Sequence, residues 1–277
     1  MHNCLLARAA ILYVVVWFSQ AQYPVARAGP IQTFCRPFSL IPMLLSWYKS
    51  MSRVPVRSRS GRDEGMVAMT CKIDLHVHTR YSGDNDADPE ETIVRAIELG
   101  LHGIAITEHY TFAASEPIGR LMEKYRGRIV ILRGVEFSAQ EGHCLVYGVD
   151  TDKLSMKYAP ISDLVPAVLN AGGVVIPSHP YRSVNSLGDV VRTTRGIAAL
   201  EGYNGCNMHA HNEKAIAAAG VLGLPYTGGS DSHAPQEVGS CYTEFEERVT
   251  SENFIDRLKQ GKYRGIDTRK ISGRLMI

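Results

Sequence analysis

The sequence predicts an α/β fold in which short strands and helices alternate over residues 71–277 of a 277-residue chain. Two observations support this: apolar segments with a period of two alternate with segments whose apolar residues recur at helical spacing. A third concerns the polar residues, which gather at the C-terminal ends of nearly all the strands. A closed barrel collects side chains from several strand ends on one face, whereas an open sheet concentrates them at one crossover point. The pattern therefore favours a barrel over an open parallel sheet.

The predicted elements follow one another at short intervals. The expected strands are 72–78, 103–107, 129–137, 143–149, 174–177, 197–201 and 224–228. The first helix is expected to begin at Pro89, with Asp88 as its N-cap, and to end at Gly100, because each residue favours that helical position. Further helices are expected at 116–125, 161–170, 211–219 and 251–260.

Residues 1–70 differ from the rest of the chain. They carry eight Lys and Arg residues against two acidic ones, so the remaining body has a net charge of −4. The apolar run 9–18 is too short to span a bilayer, and we expect a poorly structured or mis-assigned extension. A signal-like segment at 1–28, which would imply secretion, and a membrane-interacting region are the alternatives.

The body, 71–277, is expected to be one cytoplasmic domain that does not associate with a membrane. The six cysteines form no CxxC pair, which is typical of reduced thiols rather than of a disulfide framework or a zinc ribbon. A slightly acidic body argues against stable binding of duplex DNA, because such binding needs many contacts from Lys and Arg. Nothing in the sequence indicates an oligomeric state.

Histidines and carboxylates recur where the predicted strands end. His76 and His78 are two residues apart on one strand, so both side chains point to the same side. His109 follows a strand directly, and six of the nine body histidines lie at such positions. The other members of the set are Glu136, His143, His179, Asp231 and His233. Mixed His and carboxylate ligands without Cys are typical of a catalytic Zn, Mn or Fe site.

These segments resemble the polymerase-and-histidinol-phosphatase (PHP) family. The motifs DLHVHTRYSGD, ITEH, RGVE, GH, SHP and GGSDSH occur in the family's order over about residues 71–240. The resemblance implies a distorted (β/α)7 barrel, similar to a TIM barrel, with three divalent metal ions (Mn, Zn or Fe) at the C-terminal ends of its strands. It implies a first metal bound by His76, His78, Glu136 and Asp231, a second bound by Glu136, His143 and His179, and a third bound by Asp84, His109 and His233. Asp84 stands where many members carry His, so the third metal is expected to be weaker or of another identity.

The family resemblance also implies the activity. We expect hydrolysis of phosphate esters by a metal-activated hydroxide at a di- or trinuclear centre, acting on nucleotides or on the 5′ ends of short nucleic acids. A histidinol-phosphate-type or other small-molecule phosphomonoesterase is the alternative, and the sequence does not decide between a phosphatase and an exonuclease. A non-catalytic module that binds metal and nucleic acid is less favoured. An amidohydrolase is disfavoured, because those enzymes usually bridge their metals with a lysine at a strand end. No lysine follows a predicted strand of the body.

The sequence also suggests roles for residues around the predicted metal ligands. Glu136, Asp231 and Arg182 are the candidate catalytic residues, and Arg182 could form paired hydrogen bonds with a phosphate. Tyr110 either packs, which is favoured, or stacks on a substrate ring. Glu201 and Asn204 either contact substrate or support the metal ligands, and Asp74 is expected to orient a ligand.

Overall fold

The computed structural model describes residues 70–154 and 156–269, which form a mixed α/β structure on a curled seven-stranded sheet. The extension predicted for residues 1–70 lies outside the described residues, apart from Thr70. The described part of the chain includes no helix that is both long and apolar enough to cross a bilayer.

The sheet has a parallel centre and antiparallel edges. Its strands are β1 (Cys71–Val77), β2 (Gly103–Ile106), β3 (Val130–Ser138), β4 (His143–Tyr147), β5 (Val174–Pro177), β8 (Cys241–Phe245) and β9 (Tyr263–Asp267). They lie in the order β5-β4-β3-β2-β1-β8-β9, and only β1, β2 and β3 pair in parallel within it. The strands β6 (Leu200–Asn204) and β7 (Tyr226–Gly229) form a separate parallel pair.

Backbone hydrogen bonds connect the β6–β7 pair to both sides of the curled sheet. On one side, the Ala198 amide before β6 donates to the Val175 carbonyl of β5, at 2.9 Å. On the other side, the Asp231 amide after β7 donates to the His76 carbonyl of β1, at 2.7 Å. The first seven strands therefore surround a common interior as a distorted barrel, which confirms the predicted fold class.

The strand β4 departs from the parallel strand order of a regular (β/α) barrel. It runs antiparallel to β3 and pairs Ser138 with His143, and β5 is antiparallel to β4 in turn. Only residues 139–142 separate β3 from β4, and a parallel crossover needs a dozen residues or more. As a result, His143 lies at the start of its strand and still faces the rim where β1 to β3 end.

The helices follow the predictions with three shifts. They are α1 (Pro89–Glu98), α2 (Gly119–Lys124), α3 (Ile161–Asn170), α4 (His209–Leu222) and α5 (Phe254–Gln260). The N-cap at Asp88 and the bounds of α3 are as predicted. The helix expected at 116–125 is instead a 3₁₀ segment, Phe112–Ile118, followed by α2; Pro117 lacks the amide that an α-helix requires. The helix α4 is longer at both ends than expected, and α5 begins later.

The final strands were not predicted, although both have the sequence of a strand. In β8 alternate residues are buried, and the strand pairs with only the first three residues of β1, Cys71–Ile73. The second half of β1 is thus free to contact the segment that follows β7. Beneath that end, buried side chains that include Leu75, Leu145, Ile176 and Phe254 pack β1, β4 and β5 against α5.

Candidate metal centre

Glu136 is the central residue of the site, and its side chain is 1% exposed. Its carboxylate oxygens lie within 3.5 Å of ring nitrogens from five histidines. The distances are 3.4 Å to His76, 3.5 Å to His78, 3.1 Å to His109, 3.2 Å to His143 and 2.8 Å to His179. A carboxylate with two oxygens among five imidazoles has the position expected of a ligand shared between metal ions.

The first group forms where β1 ends beside the segment after β7. The Nε2 atoms of His76 and His78 are 3.0 Å apart, and Asp231 Oδ1 lies 3.3 Å and 3.2 Å from them. Four buried residues each offer a potential ligand atom, and these atoms all lie within 4.8 Å of one another; the residues are His76, His78, Glu136 and Asp231. Gly229 allows this approach, because a Cβ at this position would lie 2.4 Å from the Cβ of His76.

The second group also lies against Glu136. His143 Nδ1 and His179 Nε2 both face Glu136 Oε1, at 3.2 Å and 2.8 Å. The Ser178 hydroxyl donates to the same oxygen at 2.8 Å. His179 has a φ of 32° although it precedes Pro180, a position where extended backbone is preferred. The surrounding contacts hold it in this costly conformation, as is common at functional sites.

The third group is the most exposed. Asp84 Oδ2 lies 3.0 Å from His109 Nε2 and 3.2 Å from His233 Nε2. The side chains of Asp84 and His233 are 41% and 35% exposed, whereas that of His109 is 13% exposed. The structure therefore brings the three predicted ligands together at the mouth of the site, where water competes with them most strongly.

Burial and charge act in opposite directions on the pKa values in the cluster. Burial lowers the pKa of His76, but the neighbouring carboxylates, Asp231 foremost, raise it well above its usual value. Burial also opposes the charged form of His78, yet hydrogen bonds to Asp231 and Glu136 raise its pKa to about 9. Burial raises the pKa of Glu136, but the charge of His76 and the hydrogen bond with His179 bring it well below the usual range. The carboxylates are therefore ionised, and divalent cations can replace the protons that balance them.

Several buried polar atoms in the cluster make no hydrogen bond. They are Glu136 Oε2 and the Nδ1 atoms of His109, His143 and His179. An unpaired buried polar atom costs about 1–3 kcal/mol, so four in one cluster indicate atoms placed to bind something else. A set of imidazole nitrogens and carboxylate oxygens suits Zn, Mn or Fe. The residues present thus fit the predicted metals.

A layer of supporting residues surrounds the predicted ligands. Glu201 is fully buried, and its Oε1 lies 2.9 Å from His76 Nδ1. Its other oxygen accepts hydrogen bonds from the His179 amide at 2.7 Å and from Asn204 Nδ2 at 3.0 Å. Asn204 Nδ2 also donates to Asp231 Oδ2, at 3.1 Å. Of the two alternatives open for Glu201 and Asn204, the structure favours support of the ligands.

Ser82 and Glu108 support the second histidine of the pair in a way that the sequence analysis missed. The Ser82 hydroxyl lies 3.0 Å from His78 Nδ1 and donates to Glu108, which is fully buried. The four-residue spacing from His78 to Ser82 was the available signal. Asp74 contacts no imidazole ring, but its carboxylate accepts the backbone amides of His76, Ser230 and Gly239, so it orients the backbone of one predicted ligand.

One cysteine also lies beside the cluster, contrary to expectation. The thiol of Cys206 donates to the Asp231 carbonyl at 3.1 Å, and its sulfur lies within 4.8 Å of potential ligand atoms of His233 and Glu237. Burial raises the pKa of this thiol to about 12. It therefore remains protonated near neutral pH, and a thiol binds metals far less well than a thiolate.

Arg182 is the main cation beside the cluster. Its Nη1 donates to Asp231 Oδ2 at 2.9 Å, and its Nη2 lies 2.8 Å from His179 Nε2. The side chain is 25% exposed. The guanidinium thus lies between the buried ligands and the open cleft, as a residue that contacts a phosphate would.

A cleft of about 690 Å³ opens over the cluster. Its walls include residues of all three groups together with Tyr110, Tyr158 and Asn185. In the described part of the chain five residues other than glycine have positive φ, namely Tyr110, Tyr158, His179, Asn185 and Asp231. Four of them line this cleft, and the fifth, His179, belongs to the cluster. Strained backbone is thereby concentrated at this one place.

Comparison with known proteins supports the family assignment. Residues 209–263 match a family model described as PHP-associated. An uncharacterized protein of Methanocaldococcus jannaschii is 28% identical over 129 residues, which cover 43% of this chain and 73% of that protein.

Two solved structures share the fold. A two-domain protein of Bacteroides vulgatus that contains a predicted PHP-like metal-dependent phosphoesterase has a TM-score of 0.56 and 19% identity over 72% of this chain and 65% of its own. Endonuclease Q, in complex with a 27-mer duplex that carries an abasic lesion at the active site, has a TM-score of 0.52 and 16% identity over 71% of this chain and 58% of its own. The match at residues 209–263 and the shared fold agree with the resemblance of the motifs to the PHP family.

Proposed function

We propose that the protein is a metal-dependent phosphoesterase that hydrolyses phosphate esters of nucleotides or of the 5′ ends of short nucleic acids. The observation that carries the proposal is the convergence on Glu136: five imidazoles lie within 3.5 Å of its carboxylate, under an open cleft. A closed structural metal site would have no such opening.

The proposal assigns the predicted ligands to three ions. His76, His78, Glu136 and Asp231 hold the first, Glu136, His143 and His179 the second, and Asp84, His109 and His233 the third. Divalent ions at these positions supply Lewis acidity, which activates water and offsets the charge of a phosphate.

The remaining residues bind and orient. The Arg182 guanidinium contacts Asp231 and His179 at the wall of the cleft, and paired hydrogen bonds from it would fix a phosphate against the ligands. Glu201 holds the ring of His76 through Nδ1, which leaves Nε2 directed at Glu136 and Asp231. Together they position the substrate and the ligands before the reaction begins.

The polarity of the cleft supports phosphate esters over the alternatives. No lysine is among the residues that line it, so the metal-bridging lysine usual in amidohydrolases has no counterpart there. Four lining residues are acidic: Asp84, Glu136, Glu141 and Asp231. Without cations such a cleft would repel nucleic acid, so the binding of a phosphate there would depend on bound metal. The similarity of fold to endonuclease Q supports nucleotides or nucleic-acid ends as the proposed substrates.

A histidinol-phosphate-type or other small-molecule phosphatase is the second candidate. The volume of the cleft, about 690 Å³, is in the range of sites for small molecules. A substrate that lies wholly within it would be a single phosphorylated molecule rather than a chain end.

The test is hydrolysis by the full-length protein after it has been reloaded with Mn²⁺ or Zn²⁺. Substrates should include p-nitrophenyl phosphate, a nucleoside 5′-monophosphate, histidinol phosphate and 5′-phosphorylated oligonucleotides. We expect Glu136→Gln and His76→Ala to lower the rate by about 10³-fold, because each removes a ligand whose metal supplies several kcal/mol. His211→Ala is the matched control, since His211 lies on α4 and not in the cleft wall. Unchanged rates in the two ligand variants would refute the proposal.

A further inference from the structure

Two tyrosines at the cleft are exposed where aromatic side chains are normally buried. The side chains of Tyr110 and Tyr158 are 70% and 65% exposed, and both line the cleft. The sequence favoured packing as the role of Tyr110. Its exposure shows that the side chain does not pack in the core. A large exposed aromatic surface next to a cluster of potential metal ligands is available for contact with a ligand.

The backbone of both tyrosines is strained. Tyr110 has a φ of 68° and Tyr158 a φ of 48°, values that are genuine outliers for bulky residues. Neither side chain repays this cost by burial in the core. Strain that persists without a packing benefit is characteristic of residues held in place for binding or catalysis.

Hydrogen bonds anchor the loops that carry the two tyrosines. The amides of Phe112 and Ala113, just after Tyr110, donate to the carboxylate of Asp152 at 3.2 Å and 2.9 Å. The loop of Tyr158 is attached to the β3–β4 turn, because the Gln140 amide donates to the Ala159 carbonyl at 3.1 Å. Both exposed rings therefore stand on fixed supports rather than on free loops.

The position of Tyr110 relates it to the predicted metals. It directly follows His109, and the two ring centroids are 5.6 Å apart at a tilt of 45°. A group that stacked on Tyr110 would therefore lie close to His109, whose ring contacts Glu136. That is where the organic part of a substrate extends when its phosphate lies at the cluster.

The charges of the cleft indicate what this organic part is. Among the described residues of the cleft wall, Arg182 is the one cation apart from the histidines. The wall beyond the cluster instead contains uncharged polar residues: Ser138, Gln140, Asn185 and Ser186. A second phosphate would meet no cation of the described wall there, whereas a flat ring with hydrogen-bonding edges would meet tyrosine faces and amides.

We propose that Tyr110 and Tyr158 form a ring-binding subsite, which stacks the base of a single nucleotide while its phosphate lies at the histidine cluster. This inference rests on the proposed function for the placement of the phosphate. It narrows the substrate to a nucleoside monophosphate or an unpaired terminal nucleotide, because a paired base offers no free face to the tyrosines.

The test is the binding of a non-hydrolysable phosphonate analogue of adenosine 5′-monophosphate to the Mn²⁺-reloaded full-length protein, measured by calorimetry. Tyr110→Ala and Tyr158→Ala should each raise the Kd by about 5- to 150-fold, the range expected for loss of a base-stacking aromatic. Tyr110→Phe and Tyr158→Phe keep the ring and should stay within about threefold of the parent protein. Val221→Ala, at an exposed position on α4, controls for substitution in general.

A second measurement separates loss of the subsite from loss of the fold. Glycine tolerates positive φ, so Tyr110→Gly and Tyr158→Gly should unfold at the same temperature as the parent or higher, while analogue binding weakens as in the alanine variants. A large drop in unfolding temperature would instead assign the tyrosines a structural role and overturn the inference.

The outcomes for the two proposals are distinguishable. In parallel with binding, the ratio of kcat/KM for adenosine 5′-monophosphate over ribose 5-phosphate should fall in the alanine variants. If the protein hydrolyses phosphate esters but neither Kd nor this ratio changes, the ring subsite is refuted and the proposed function stands. If no ester is hydrolysed but the alanine variants weaken analogue binding, the subsite stands and the proposed function fails. Failure of the parent protein to bind the analogue would refute the subsite.

Discussion

Glu201 Oε1 lies 2.9 Å from His76 Nδ1, and both side chains are fully buried. This contact fixes the ring so that His76 Nε2 faces Glu136 and Asp231, at 3.4 Å and 3.3 Å. Partners of this kind typically contribute 10- to 100-fold to metal affinity. We therefore expect Glu201→Gln to weaken the tightest metal site by about 10- to 100-fold while the fold is retained.

Competition with a metal chelator would measure this change, and circular dichroism would check the fold. Glu213→Gln is a suitable control, because Glu213 is exposed on α4. Equal metal affinity in the Glu201 and Glu213 variants would show that the buried carboxylate does not orient its histidine.

Arg182 should affect metal and phosphate in opposite directions. Its guanidinium contacts Asp231 Oδ2 and His179 Nε2, so it competes with cations for atoms of two predicted ligands. We expect Arg182→Met to leave metal affinity equal or higher and to raise the KM for a phosphate ester by about 10-fold or more, as loss of a charged hydrogen bond does. Metal titration and steady-state kinetics would measure the two effects. A fall in metal affinity with an unchanged KM would assign Arg182 to the support of the site.

The third metal should be lost first. Its predicted ligand Asp84 is 41% exposed, whereas Glu136 and Asp231 are 1% and 3% exposed. Stepwise dialysis against a mild chelator should therefore remove one equivalent before the others, and Asp84→Ala should abolish that weak equivalent alone. Elemental analysis would count the ions. Asp86→Ala in the same loop serves as the control, and simultaneous loss of all metals from the parent protein would contradict the prediction.

Metal binding should release protons. The pKa of His78 is raised to about 9 by hydrogen bonds to carboxylates, despite burial, so its ring is protonated in the metal-free protein at about pH 7.5. A metal requires the neutral ring, so apparent affinity should rise with pH up to about 9 and fall as the solution becomes more acidic. Calorimetry in buffers with different ionisation enthalpies would detect the released proton. A binding enthalpy that does not depend on the buffer would argue against it.

Much of the site could be predicted because its determinants are local. The two-residue spacing of His76 and His78, and the single residues that end strands, follow from alternation along a strand. The direction of β4 could not be predicted from its apolar pattern, which is the same in parallel and antiparallel strands; the short link at 139–142 carried that information. Support of His76 by Glu201 depends on a contact between segments 125 residues apart, which no local spacing encodes. The exposure of Tyr110 likewise depends on its backbone conformation rather than on its neighbours in sequence.

The β3–β4 hairpin has a consequence for the order in which the site assembles. Glu136 and His143 are seven residues apart in one hairpin, and the entropic cost of closing so short a loop is small. Asp231 meets His76 only when the segment after β7 reaches β1 from the far end of the domain. We therefore expect the part of the site around Glu136 and His143 to form early in folding. The part that joins Asp231 to His76 should form last. Cobalt bound at His76, His78 and Asp231 would consequently report the last step of barrel closure as a change of colour.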